Sequence, residues 1–191
     1  MKTLIIYAHP NTNGHCSTLL EELIGNLESK NIDYELIDLY KLKYDPVLKE
    51  NELYTAGNNY ISKQNKEFQN KISNCDRFIF IYPNWWNSPP AILKGFIDRT
   101  FTPGFGFKYE GKIPKGLLKG RKAAIFLTTG SPILIFKFFS GSRAAKIMKK
   151  DFLRFCGISS KAFIIGNANK IDGKQIKKIK EAVKKGMDYL Y

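Results

Sequence analysis

Three short stretches gather the residue types that could hold a flat, phosphorylated ligand. The first is AHPNTNGHCS, Ala8 to Ser17, followed by Thr18. It is rich in turn formers. It leads into Leu19, Leu20, Leu23, Ile24 and Leu27, a spacing that predicts a helix over 18–27. The start of a helix offers free amides and the positive end of its dipole, so an anion could bind there without lysine or arginine, with Ser17 and Thr18 adding hydroxyl donors. Ser17 could equally be an ordinary N-cap. The second stretch is Asn84 to Ser88, which carries the adjacent pair Trp85 and Trp86. Two indoles could present flat apolar surface and backbone N–H groups to a flat heterocycle, or could cap the core. The third is Thr129-Gly130-Ser131-Pro132, again hydroxyls and a glycine. There is no Gly-x-Gly-x-x-Gly and no Gly-Lys-Ser/Thr, so neither a dinucleotide-binding Rossmann turn nor a Walker loop is indicated, and no metal site is expected.

Each stretch follows an apolar run of strand length. Strands are predicted over 4–7, 34–39, 77–82, 122–128 and 161–165, the second near a sheet edge because YELIDL alternates apolar and acidic residues. Pro83 ends the third strand, and Pro89-Pro90 opens a helix through Phe101. Further helices are predicted over 64–73, 143–155 (stopped by Gly157) and 173–191. Residues 41–59, with Asp45-Pro46 and Gly57, read mostly as loop with room for a short helix. Strands alternating with helices imply one α/β domain over 1–191, a five-stranded parallel sheet covered on both faces, with ligands at the strands' C-terminal edge. TPGFGFKYEG, Thr102 to Gly111, alternates Phe105, Phe107 and Tyr109 among glycines. It is expected to be a lid or dimer surface near the ligand edge, or a hairpin packing its aromatics inward. ILIFKFF, Ile133 to Phe139, could be a strand. More plausibly it packs over the site, at a subunit interface or on a membrane, since such a patch does not stay exposed on a monomer.

Bulk properties narrow the class. The 191 residues, 43% hydrophobic and 14% aromatic, suit one domain with a generous core. No apolar run approaches the ~20 residues that span a bilayer, and the short apolar run after Lys2 reads as a strand rather than a signal segment. Cys16, Cys75 and Cys156 are widely spaced and odd in number, as expected of free thiols in a reducing, cytoplasmic setting. The net charge of +14 suits anionic partners, but much of it lies in Lys174, Lys177, Lys178, Lys180, Lys184 and Lys185 on the outer face of the last helix. Without a helix-turn-helix, zinc-finger or RNA-binding signature, no nucleic-acid partner is expected.

The stretch YPNWWNSPPAILKGFIDRTFTPGFGF, Tyr82 to Phe107, together with Ala8-His9-Pro10 and Leu127-Thr128-Thr129-Gly130, resembles the NAD(P)H:quinone oxidoreductase family with a flavodoxin-like fold. This is the family of DT-diaphorase, the modulator of drug activity B and the ancillary proteins of potassium efflux systems. The resemblance implies a three-layer sandwich with strand order 2-1-3-4-5. It implies that His9, His15, Cys16, Ser17 and Thr18 line the phosphate of a flavin. Asn84, Trp85, Trp86 and Asn87 would lie along its ring, largely through backbone N–H groups, and Thr128, Thr129, Gly130 and Ser131 would close the other side. It further implies a homodimer in which Phe105, Phe107 and Tyr109 wall the substrate site across the interface. The length suits FMN; FAD users of the DT-diaphorase type carry a longer C-terminal extension.

The chain departs from the family's pattern at Gly14-His15-Cys16, where Ser-Phe-Asn is common, and at Ser131-Pro132, where a second glycine is common. At the offset where DT-diaphorase has a tyrosine and a histidine, this chain has Phe136, also placed at the substrate site, and Ser142. Neither can replace a phenol or an imidazolium, so no catalytic side chain is assigned and the chemistry rests with the cofactor. The implied activity is ping-pong, two-electron reduction of a quinone or similar flat small-molecule acceptor by NAD(P)H. The alternative is a flavin-binding ancillary or regulatory subunit of a membrane transport system, in which the basic surface and ILIFKFF provide peripheral membrane contact. A flavodoxin-type electron carrier fits less well, because the chain is strongly basic.

Overall fold

The computed structural model describes residues 2–56 and 60–191; the turn position Gly57 lies outside the described residues. In chain order the elements are β1 (Thr3–Tyr7), α1 (His15–Ser29), β2 (Tyr34–Asp38), two 3-10 turns (Glu50–Glu52 and Tyr54–Ala56), α2 (Lys63–Ser73), β3 (Arg77–Pro83) and α3 (Ala91–Thr100). There follow β4 (Phe107–Glu110), β5 (Ile113–Gly116), β6 (Lys122–Thr128), α4 (Ile133–Phe138), α5 (Arg143–Lys146) running into a π-helical segment (Ile147–Leu153), β7 (Ser159–Ile165) and α6 (Gly173–Leu190). Five parallel strands form one sheet in the order β2-β1-β3-β6-β7, which is the expected 2-1-3-4-5 once β4 and β5, a separate antiparallel hairpin, are set aside.

The apolar runs of β1, β3 and β6 are buried almost throughout, because helices cover both faces. Strand residues alternate between two cores, as their period of two requires. Leu4, Ile6, Phe78, Phe80 and Tyr82 pack with Phe68, Phe96, Phe101 and Phe152 on the α2–α3 side. Ile5, Tyr7, Ile79 and Ile81 pack with Leu19, Leu23, Val183 and Met187 on the α1–α6 side. Among the described residues, no helix is long and apolar enough to cross a membrane.

Three details bear on the site. First, α1 begins at His15, three residues before the predicted start, because Gly14 rather than Ser17 is its N-cap. Second, Ile133–Phe138 is a short helix and not a strand; Pro132, whose missing N–H costs nothing there, sits at its entry. Third, α3 is locked to the loop that follows β2. A Cβ on Gly95 would stand 2.2 Å from the Pro46 carbonyl oxygen, so only glycine allows this approach. One turn further on, Arg99 grips the same loop. Its guanidinium donates to both carboxylate oxygens of Glu52, at 2.8 and 2.9 Å, and to the Asp45 carbonyl.

Candidate functional site

The loops after β1, β3 and β6 meet at the C-terminal edge of the sheet. The Ala8 amide donates to Ile81 O at 3.0 Å, the Asn84 amide to Thr128 O at 2.7 Å and the Thr129 amide to Ile165 O at 2.9 Å. Cys16 Sγ lies 3.4 Å from Thr128 Oγ1, and the His9 ring lies 6.2 Å from the Trp85 ring. His9 Nδ1 lies 3.0 Å from the Asn11 amide and 3.2 Å from Asn11 O, and the ring's tautomer decides which of the two it pairs with.

At the first loop, Ser17 Oγ accepts from the Gly14 amide and donates to Gly14 O, both at 2.8 Å, and Thr18 Oγ1 donates to Gly14 O at 3.0 Å. Both hydroxyls therefore turn back on the N-cap. The amides of His15, Cys16 and Ser17 make no hydrogen bond among the described residues, as expected of a helix's first turn. His15, only 8% exposed, keeps Nε2 without a partner. Burial lowers its pKa below the usual histidine value, opposed by Asp172. The Cys16 side chain belongs to the α1–α6 core, and burial pushes its thiol up to about 12, slightly opposed by the Thr128 hydroxyl. Only its amide faces the loop.

At the second loop, Trp85 and Ser88 exchange backbone hydrogen bonds at 3.2 and 3.0 Å around Trp86 and Asn87, whose φ angles are 52° and 58°. Two consecutive positive φ values mark a type I′ turn, in which Asn is at ease and Trp is strained. Trp86 is fully exposed. The amides of Asn84 and Trp85 are thus already engaged, and the free ones belong to Trp86 and Asn87. Asn84 Oδ1 is buried without a partner. At the third loop, Thr128 and Thr129 are buried and Gly130 is exposed, while the Ser131 amide turns back to Thr129 Oγ1 at 3.4 Å.

A fourth loop, after β7, completes the edge. Asn169 Nδ2 donates to Gly130 O at 3.3 Å. Asn169, Lys170 and Ile171 face Asn13, Gly14, His15 and Ser17 across a cavity of about 540 Å³, with Glu21 also on its wall. Sequence reasoning passed over this loop, although its polar residues follow the last predicted strand. The cavity pairs free helix amides with a buried imidazole, and Asn84 Oδ1 lacks a donor. These features fit a phosphate-bearing cofactor with a flat ring that carries N–H groups.

The remaining candidates lie elsewhere. Phe136 is fully buried in the α2–α3 core, so it presents no surface to a substrate. Ser142 is the N-cap of α5, with its amide on Phe136 O. Phe105, Phe107 and Tyr109 do not line the cavity beside α1. α3 carries the backbone from that edge to the other, and the β4–β5 hairpin packs there, with Gly116 against Cys156 and Gly157 just ahead of β7. Phe105 packs beside Phe101. Phe107 and Tyr109 line a second, apolar cavity of about 520 Å³ with Phe101, Met148, Phe152 and Phe155.

A parallel sheet in this order, with its polar loops on the C-terminal edge, defines the flavodoxin-like class of α/β proteins. Residues 1–189 match the family described as having the flavodoxin-like fold, and the chain belongs to that family. It is 32% identical over 177 residues to an uncharacterized NAD(P)H oxidoreductase of Haemophilus influenzae, covering 91% of this chain and 88% of that one. It is 31% identical over 146 residues to the mouse ribosyldihydronicotinamide dehydrogenase (quinone), covering 68% of this chain and 63% of that relative. The crystal structure of Smu.1420 from Streptococcus mutans superposes with a TM-score of 0.88 at 32% identity, covering 98% of this chain and all of that one. Family and relatives together place the chain among oxidoreductase enzymes.

Proposed function

We propose that the chain binds FMN at this edge and catalyses reduction of a quinone or similar flat acceptor by NAD(P)H. The observation that carries the reading is the first turn of α1, where the His15, Cys16 and Ser17 amides are unpartnered among the described residues and His15 and Ser17 line a cavity, with Nε2 of His15 buried and orphaned beside it. When bound, the flavin supplies the redox chemistry, taking up two electrons from NAD(P)H and giving them to the acceptor. The chain's part is placement. The His15, Cys16 and Ser17 amides hold the phosphate, as a helix start does. His15, protonated on one ring nitrogen, adds a donor or acceptor according to tautomer. Asn84 Oδ1 accepts from a ring N–H, and the free amides of Trp86, Asn87 and Gly130 orient ring carbonyls. Trp85 and Trp86 offer flat apolar surface to the ring or the acceptor and exclude water from one side.

The placement of the β4–β5 hairpin supports a homodimer. Phe107 and Tyr109 are not on the wall of the cavity beside α1, and a second copy would bring them to the site. Tyr109→Ala would then raise the acceptor KM while leaving FMN affinity unchanged.

The deciding experiment is a near-ultraviolet and visible absorbance spectrum of the protein incubated with FMN and freed of excess, followed by anaerobic NADPH. A bound flavin spectrum that bleaches is expected. Protein that retains no flavin would overturn the site, and a bound flavin that does not bleach would overturn the reaction.

A further inference from the structure

α4 carries a surface that the proposed chemistry does not use. Phe136 anchors it in the core, while Leu134, Phe138 and Phe139 are 68%, 80% and 86% exposed and Ile135 is exposed beside them. Between Pro132 and Lys150 the chain has five cations, Lys137, Arg143, Lys146, Lys149 and Lys150, and no acidic residue; Asp151 is the first to follow. All five are exposed and form no ion pair among the described residues. Lys146 Nζ would stand 4.0 Å from a Cβ placed on Gly141, just past the end of α4. The fully exposed Trp86 stands on the same sheet edge, on the loop tied to β6 through the Asn84–Thr128 hydrogen bond.

Protruding aromatics flanked in the chain by unpaired cations have the chemistry of an interfacial membrane anchor. The rings enter the boundary between headgroups and acyl chains, and the cations meet anionic headgroups. A second copy of the chain is a poorer occupant, because it carries the same net charge of +14. We propose that α4 and its flanking cations dock the protein on an anionic lipid bilayer, with the C-terminal edge of the sheet turned toward the membrane. This inference does not depend on the bound cofactor or on turnover.

The test is co-sedimentation of the full chain with vesicles of phosphatidylcholine alone or of equal parts phosphatidylcholine and phosphatidylglycerol, at low and high salt. The wild type should sediment with the anionic vesicles at low salt. Phe138→Ser/Phe139→Ser, which leaves net charge unchanged and touches only exposed rings, should weaken partitioning at least ~10-fold. Lys137→Glu/Lys146→Glu should do likewise, and Lys177→Glu/Lys184→Glu, the same charge change on exposed positions of α6, should have a far smaller effect. The proposal is overturned if the wild type does not bind, if the phenylalanine variant binds as the wild type does, or if the α6 variant loses as much as the α4 variant. It is equally overturned if Phe138→Ser/Phe139→Ser has a lower native mass than the wild type, which would mean that a second copy covers the patch.

Discussion

Replacing Trp86 by glycine should separate stability from function, and its size follows from two facts about that residue. Its φ is 52° and its side chain is fully exposed. A non-glycine residue in the left-handed region costs about 1–2 kcal/mol, which Trp86→Gly releases. Glycine returns about 0.5–1 kcal/mol through the greater freedom of the unfolded chain. Deleting a buried tryptophan would cost about 3–5 kcal/mol, but here no buried area is lost. The net expectation is a variant as stable as the wild type or up to about 1.5 kcal/mol more stable. The flat surface it removes is worth about 1–3 kcal/mol where a heterocycle stacks on it. The weaker binding should appear either in the FMN dissociation constant, read by flavin fluorescence, or in the acceptor KM. Urea denaturation of the FMN-free protein gives the stability arm. A loss of 1 kcal/mol or more there would refute the reasoning, because it would mean that the indole packs against something in the folded protein.

Arg99→Leu leaves the Glu52 carboxylate, whose side chain is only 4% exposed, without its bidentate partner and should destabilise the fold by about 3 kcal/mol in urea; no shift in the midpoint would count against the pair. The thiols of Cys16, Cys75 and Cys156 are pushed up by burial to about 12, 11 and 12, so Ellman's reagent at mildly alkaline pH should find them silent until the protein is unfolded. His15 has a folded pKa below its unfolded one, so the unfolded chain takes the proton first. Its contribution to stability is fully present above the unfolded pKa and is lost as pH falls through the folded pKa. His15→Gln should therefore flatten the stability of the FMN-free protein as pH falls below the usual histidine value, and an unchanged slope would show that His15 is not desolvated.

The strands were legible because β1, β3 and β6 are uninterrupted apolar runs, and the sheet order followed from the resemblance. Boundaries were less so. Gly14-His15-Cys16 looks like loop because its residues are small or polar, and nothing local says that Cys16 turns into the core while His15 stays at the loop. The run at 133–139 is apolar at nearly every position, so its period cannot tell strand from helix. Its burial is set by packing: Phe136 is taken into the core and Phe138 and Phe139 are left outside. The two tryptophans likewise look equivalent in sequence. The type I′ turn distinguishes them, and Trp-Asn is not a pair that announces such a turn. The placement of the hairpin at the far edge was hidden because alternation within a segment says nothing about where α3 delivers it.

That placement has a genetic consequence. If the hairpin of one protomer serves the other protomer's site, each site draws on two copies of the gene product. A chain defective at Trp86 and a chain defective at Tyr109 would then complement each other when co-expressed. In the mixed pair both lesions fall on one site and the other is left whole, so two inactive alleles together would yield up to half of wild-type turnover per mixed dimer.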